Sequence, residues 1–258
     1  MTAKTHQQIQ IELHRKLAPQ YAIRYGYEFS RLFQYEWHEQ MFREMPEKVV
    51  GAALDLGCGT GFFLADVRTH SRQAVGLDIS YEMLDLAQKE LPDTFTAQGD
   101  AENLPFKESS FDVVFCKGSL HHTRDHEGFL KGCRRVLRPG GVLILSEPCN
   151  DNPIIRFARF LLYRFSSRFH PDDEGFRETQ MSEMVKNAGF EVARSRKFGV
   201  FAYTFAGFPD HLGFMKYIPG NAFLTKMMIQ FDRFLCSLPL LRAFGFHVIC
   251  TARRPAAS

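Results

Sequence analysis

The stretch Leu54-Asp55-Leu56-Gly57-Cys58-Gly59-Thr60-Gly61-Phe62-Phe63 decides how the chain is read. Apolar residues run up to an acidic one, glycine takes three alternate positions, and an apolar run resumes. That order predicts a buried strand, a sharp turn and the first turn of a helix. Alternate glycines admit positive φ and leave no Cβ between the main chain and a ligand. A strand end, a bare turn and a helix N-terminus in one place make a cradle for a small molecule.

Working outward, strands and helices alternate. Strands are predicted at Ala52–Leu56, Ala74–Leu77, Phe95–Gln98, Phe111–Cys116, Val142–Leu145, Phe190–Arg194 and His247–Ala252. Helices are predicted at Phe62–Val67, at Tyr81–Glu90 with Ser80 as cap, at Phe129–Leu137, and at Thr179–Ala188 with Thr179 or Ser182 as cap. Arg138-Pro139-Gly140-Gly141 reads as a helix stop. This alternation predicts an α/β fold with a mostly parallel sheet covered on both faces, and a ligand beyond the carboxyl ends of the strands. Residues before 49 read as helical, with apolar spacings of three and four. Asn221–Leu235 reads as an amphipathic helix. Phe223, Leu224, Met227, Met228, Phe231, Phe234 and Leu235 share one side of it, and Thr225, Lys226, Gln230, Asp232 and Arg233 the other.

A chain of 258 residues, 45 % hydrophobic, is long enough to bury a full core. A net charge of +3 is too mild to argue for a nucleic-acid partner. Cys58, Cys116, Cys133, Cys149, Cys236 and Cys250 form no C-x-x-C pair, which predicts reduced thiols and no zinc site. Asp125, Glu127 and Glu147 are too dispersed to argue for a magnesium site, so no metal is expected. The polar start (Lys4, His6, Gln7, Gln8) lacks an apolar leader core, which predicts a cytoplasmic location. The longest uncharged stretch, Phe198–Pro209, falls short of the roughly 20 residues that a membrane span needs.

The spacing at the first turn is G-x-G-x-G after an aspartate, and acids recur at the next two strand ends as Asp78 and Asp100. Together with Asn103-Leu104-Pro105-Phe106, Ser110-Phe111-Asp112-Val113-Val114, Leu137-Arg138-Pro139-Gly140-Gly141 and Ala188-Gly189-Phe190-Glu191, this resembles the class I S-adenosylmethionine (SAM) methyltransferases over roughly residues 50–195. The branch it resembles methylates small molecules, quinone rings among them. The resemblance implies a Rossmann-like seven-stranded sheet with helices on both faces, plus helical cap insertions. It divides the chain into a helical lid (1–48), a SAM-binding core (49–147, 181–198 and 246–258) and cap insertions at 148–180 and 199–245.

The resemblance also assigns roles. Gly57, Gly59 and Gly61 give close backbone approach, and Asp55 orients the methionine amino group. Asp78 takes the ribose hydroxyls, and Asp100 and Ala101 take the adenine edge. Ile79 and Leu104 sandwich the ring. Ala18–Tyr25 looks like the aromatic segment that lies over the cofactor in many relatives, with Tyr21 as the contact. The alternative is that Tyr21 and Tyr25 pack the N-terminal helices.

Methyl transfer is an in-line displacement, so alignment and exclusion of water do most of the work. A base is required only for an acceptor that must lose a proton. The end of the fourth strand carries Lys117, Ser119, His121 and His122. His121, and next His122, are the candidate bases, and the pair has a second reading as a loop-shaping device. Lys117 contacts the cofactor or the acceptor. His170 with Asp172 and Asp173 is a further acid–base candidate, or a solvated loop.

Of 26 phenylalanines, sixteen follow residue 150, an excess that predicts a hydrophobic, ring-containing or long-chain acceptor, or simply packs the insertions. Arg156, Arg159, Arg164 and Arg168 among aromatics suggest a pocket wall, a dimer contact or a peripheral membrane contact. The expected function is methyl transfer from SAM to a hydrophobic small molecule by a monomer or homodimer. The alternatives are a SAM-binding partner subunit without turnover, or a different use of SAM.

Overall fold

A computed structural model describes residues 8, 11, 12, 15, 25–152, 175–207 and 213–256. Tyr21, Ile154–Phe169, His170, Asp172 and Asp173 lie outside the described residues.

Seven strands form one sheet: β1 (Val50–Leu56), β2 (Ser71–Asp78), β3 (Phe95–Gln98), β4 (Phe111–Lys117), β5 (Leu137–Pro148), β6 (Glu191–Phe198) and β7 (His247–Arg253). Their order across the sheet is β3-β2-β1-β4-β5-β7-β6. The first five pair in parallel, and β7 runs antiparallel between β5 and β6. The chain leaves β1 toward β2 on one side and returns to β4 on the other. Between β1 and β4 the winding therefore reverses, which opens a crevice at their carboxyl ends.

Helices α1 (Glu28–Phe42), α2 (Phe62–Val67) and α6 (Asn221–Ser237) lie on one face with α7 (Pro239–Arg242) following α6. Helices α4 (His126–Val136) and α5 (Glu178–Asn187) cover the other, and α3 (Tyr81–Glu90) flanks β2 and β3. One core layer joins Leu54, Leu56, Val114 and Leu143 of the sheet to Phe129, Leu130 and Met181. The opposite layer joins Ala53, Val113 and Ile144 to Phe29, Phe33, Met41 and Phe63. Phe29 and Phe33 are fully buried, each contributing about 1.5–3 kcal/mol of apolar transfer.

Ser80 caps α3 as expected, its Oγ accepting from Met83 N at 3.3 Å. Asp125 caps α4 through Gly128 N at 2.8 Å. Helix α5 differs: Arg177 precedes it, not Thr179 or Ser182, and Ser182 Oγ instead donates to Glu178 O within the helix. The helix predicted to end at Leu137 stops at Val136, where the strand begins. Phe111 faces Leu137 and Val113 faces Val142, so Arg138–Gly141 bulge out of the ladder.

The largest difference is at α6. Thr225, Ile229 and Asp232 are its buried residues, while Phe223, Met227, Phe231 and Phe234 are at least half exposed. Asp232 accepts backbone N–H bonds from Val200, Phe201 and Ala202 at 3.0, 2.8 and 2.9 Å. Arg233 pairs with Glu36 of α1. These anchors turn Thr225 and Asp232 inward and leave Phe223, Met227, Phe231 and Phe234 facing out, while Lys226, Gln230 and Arg233 stay exposed. Among the described residues no helix is long and apolar enough to cross a membrane.

Candidate active site

The glycine turn is built by main-chain bonds to its neighbour strand. Gly57 N and Cys58 N donate to Leu77 O at 2.8 and 3.0 Å, and Gly61 N donates to Cys58 O at 2.9 Å. Gly57 and Gly59 both have positive φ, at 71° and 53°. A Cβ on Gly57 would sit 2.6 Å from Ser119 Cβ, because the loop after β4 presses on the turn there. A Cβ on Gly59 would meet nothing within 4 Å, because that residue borders open space.

That space is a cavity at the carboxyl ends of β1, β2, β3 and β4. Its wall includes Asp55, Gly57, Gly59, Asp78, Ile79, Asp100, Ala101, Lys117 and His122, which the sequence had singled out from separate elements. Gly61 and His121 are not on this wall. At Gly61 a Cβ would come within 3.0 Å of Ala87 Cβ, so that glycine serves the packing of α2 on α3. Leu104, expected against the ring, is buried in the core layer under α4, and Met83 lines the cavity. Tyr25 stacks on Phe62 with centroids 4.3 Å apart, and both rings line the cavity.

Asp78 does more than the sequence suggested. Its Oδ2 accepts from Gly59 N and its Oδ1 from Ser80 N, both at 2.8 Å. The carboxylate thus ties the glycine turn to the start of α3. Asp100 Oδ1 accepts from Glu102 N at 2.9 Å, which fixes the turn after β3.

Asp55 is fully buried, and its Oδ2 has no hydrogen-bond partner among the described residues. Burial pushes its carboxyl up to about 7, Lys117 opposes this, and Asp78 adds to it.

At the end of β4, Lys117 Nζ lies 2.8 Å from Gln34 Oε1 and 3.0 Å from His38 Nε2, and 4.6 Å from the Trp37 ring centre. His38 Nδ1 lies 2.6 Å from Asp66 Oδ2. Burial, and next Lys117, hold the His38 imidazole well below its usual range, so it is neutral. A neutral ring donating from Nδ1 to Asp66 presents its Nε2 lone pair to the ammonium of Lys117. Sequence reading missed Gln34, His38 and Asp66, whose helices bear no local mark of the strand end they meet.

The two histidines part company. His121 Nδ1 lies 2.7 Å from Glu147 Oε2. Glu147, fully buried at the end of β5, also accepts from Ser119 N and Leu120 N at 3.1 and 2.8 Å. Glu147 thus ties His121 to the backbone of the loop after β4, and His122 is the imidazole on the cavity wall.

A family model described as a methyltransferase domain matches residues 54–145. The demethylmenaquinone methyltransferase of Lactobacillus johnsonii is 33 % identical over 184 residues, covering 60 % of this chain and 74 % of that one. The demethylmenaquinone methyltransferase of Thermotoga maritima is 32 % identical over 189 residues, covering 63 % and 78 %. The chain belongs to the class I SAM-dependent methyltransferases. In fold it resembles a solved SAM-dependent methyltransferase from Thermotoga maritima, with a TM-score of 0.66 and 19 % identity over 95 % of this chain and 99 % of that one.

The residues present fit SAM, which is therefore the cofactor. A buried carboxylate oxygen lacking a donor suits the methionine ammonium. The space beside Gly59, which any Cβ would begin to fill, lets backbone approach the nucleoside.

Proposed function

We propose that this methyltransferase acts on a hydrophobic, ring-containing acceptor of the quinol class. SAM supplies an electrophilic methyl group when bound. In this reading Asp55 holds the ammonium, Gly57 and Gly59 the methionine end, Asp78 the ribose, and Ile79, Asp100 and Ala101 the adenine. Tyr21, as the resemblance implies, and Tyr25, stacked on Phe62, cover the cofactor. Residues 1–48, 148–180 and 199–245 select the acceptor.

The observation that carries the reading is Lys117, a cation set among Gln34, His38, Trp37 and Phe63 on the cavity wall. A ring hydroxyl must lose its proton before its oxygen or the neighbouring ring carbon attacks. An ammonium fixed on the cavity wall lowers the pKa of a hydroxyl brought against it and stabilises the oxyanion. His122 accepts the proton, and Phe62 and Phe63 exclude water. The two relatives named for demethylmenaquinone methylation support a quinol over other hydrophobic acceptors.

The test is turnover of purified protein with SAM and, separately, demethylmenaquinol, simple phenols and an aliphatic amine. Release of S-adenosylhomocysteine (SAH) is followed together with product mass. A quinol one methyl heavier supports the reading. Methylation of the amine alone, or SAM binding without turnover of any ring acceptor, refutes it.

A further inference from the structure

Helix α6 presents its apolar stripe to solvent. Phe223, Phe234 and Leu240 of α6 and α7 are 70, 60 and 84 % exposed, and Met227, Phe231 and Leu241 lie on the same stretch with 38–50 % exposure. Phe201 joins them, its ring 5.7 Å from that of Phe231. The orientation is fixed from below by the bonds of Asp232 to three backbone N–H groups and by the Arg233–Glu36 pair. The stripe is therefore held outward by the fold.

Charge says what covers it. Between residues 213 and 244 the sequence carries Lys216, Lys226, Arg233 and Arg242, and its one acid is Asp232. Asp232 is buried, and the four cations are exposed. Arg233 is paired with Glu36, so the exposed charges this segment adds beyond that pair are the cations Lys216, Lys226 and Arg242. A two-fold contact between copies would set each face against itself and bring these cations together without compensation. An anionic lipid leaflet matches both features, taking the rings at headgroup depth and the cations at its charged surface.

We propose that the exposed face of α6 and α7 docks this protein on anionic membrane surfaces. The face is linked to the cavity through α1, which meets α6 at Glu36 and Lys117 at Gln34 and His38.

The experiment is co-sedimentation of the full chain with phosphatidylcholine vesicles and with vesicles containing about 30 % phosphatidylglycerol. The protein should bind the anionic vesicles at least roughly tenfold more tightly, and lose that preference between about 50 and about 500 mM salt. Phe223→Gln/Phe234→Gln and, separately, Lys216→Glu/Lys226→Glu should each weaken binding by roughly tenfold or more. Both should still bind SAH like the parent, which shows that they are folded. Equal binding to both vesicle types, or unchanged binding of either variant, overturns the proposal. So does a dimer in sedimentation velocity that Phe223→Gln/Phe234→Gln dissociates, since the face then belongs to a second copy. Vesicle binding is read without an acceptor, so failure of the quinol reading leaves the result intact.

Discussion

Replacing Asp55 with Asn should strengthen the empty protein and weaken its grip on SAM. Raising a carboxyl from 3.8 to about 7 costs its ionised form about 4 kcal/mol relative to the unfolded chain. The sign follows from proton counting. Between about pH 4 and pH 7 the folded state holds a proton that the unfolded state has lost, so stability falls as pH rises through that window. Above about 7 the full penalty is present. Asn never ionises, so Asp55→Asn should match the parent near pH 4 and exceed it at pH 8, by up to about 4 kcal/mol. Loss of the charged hydrogen bond to the methionine ammonium should weaken SAM binding by about 1.5–3 kcal/mol, roughly 10- to 150-fold. Urea denaturation at both pH values and calorimetric titration at pH 8 read the two effects. A variant less stable than the parent at pH 8, or one with unchanged SAM affinity, refutes the placement of a buried, unsatisfied carboxylate at the methionine end.

Other outcomes follow from the same geometry. Gly57→Ala should destabilise the fold by about 1–3 kcal/mol in thermal melts, through positive φ and the contact with Ser119. Gly59→Leu has room in the empty protein, so it should cost only about 1 kcal/mol of backbone strain while abolishing SAM binding in titrations. Lys117→Met should lower kcat by roughly 100-fold with SAM affinity changed less than about threefold, and His38→Leu should shift the pH profile of kcat in the same assay by releasing Lys117 from its partner. His122→Gln should lower kcat by roughly 100-fold. His121→Gln should act on stability, read by denaturation, because it breaks the bond to Glu147.

Local signals carried most of the fold. The glycine turn, the acids at strand ends and the apolar strands each declare themselves within about ten residues, and the sheet follows from their rhythm. What stayed hidden depends on partners far along the chain. Nothing near Lys117 announces Gln34 and His38, which lie 83 and 79 residues away. His121 and His122 are neighbours of the same type, and their roles separate through Glu147, 26 residues beyond His121. The periodicity of α6 is a true amphipathic pattern, but periodicity does not say which side faces in. That was decided by the Asp232 cap on residues 200–202 and by Glu36, 197 residues from Arg233.

The central claim is that the crevice beyond β1, β2 and β3 binds a sulfonium nucleoside and its demethylated product. Calorimetric titration of the purified chain with SAM and with SAH tests it most directly. Saturable one-to-one binding of both, abolished by Gly59→Leu in a protein that still melts cooperatively, is the predicted result. Absence of binding by either nucleoside at about 1 mM, a weak-affinity ceiling of roughly 4 kcal/mol, would contradict it.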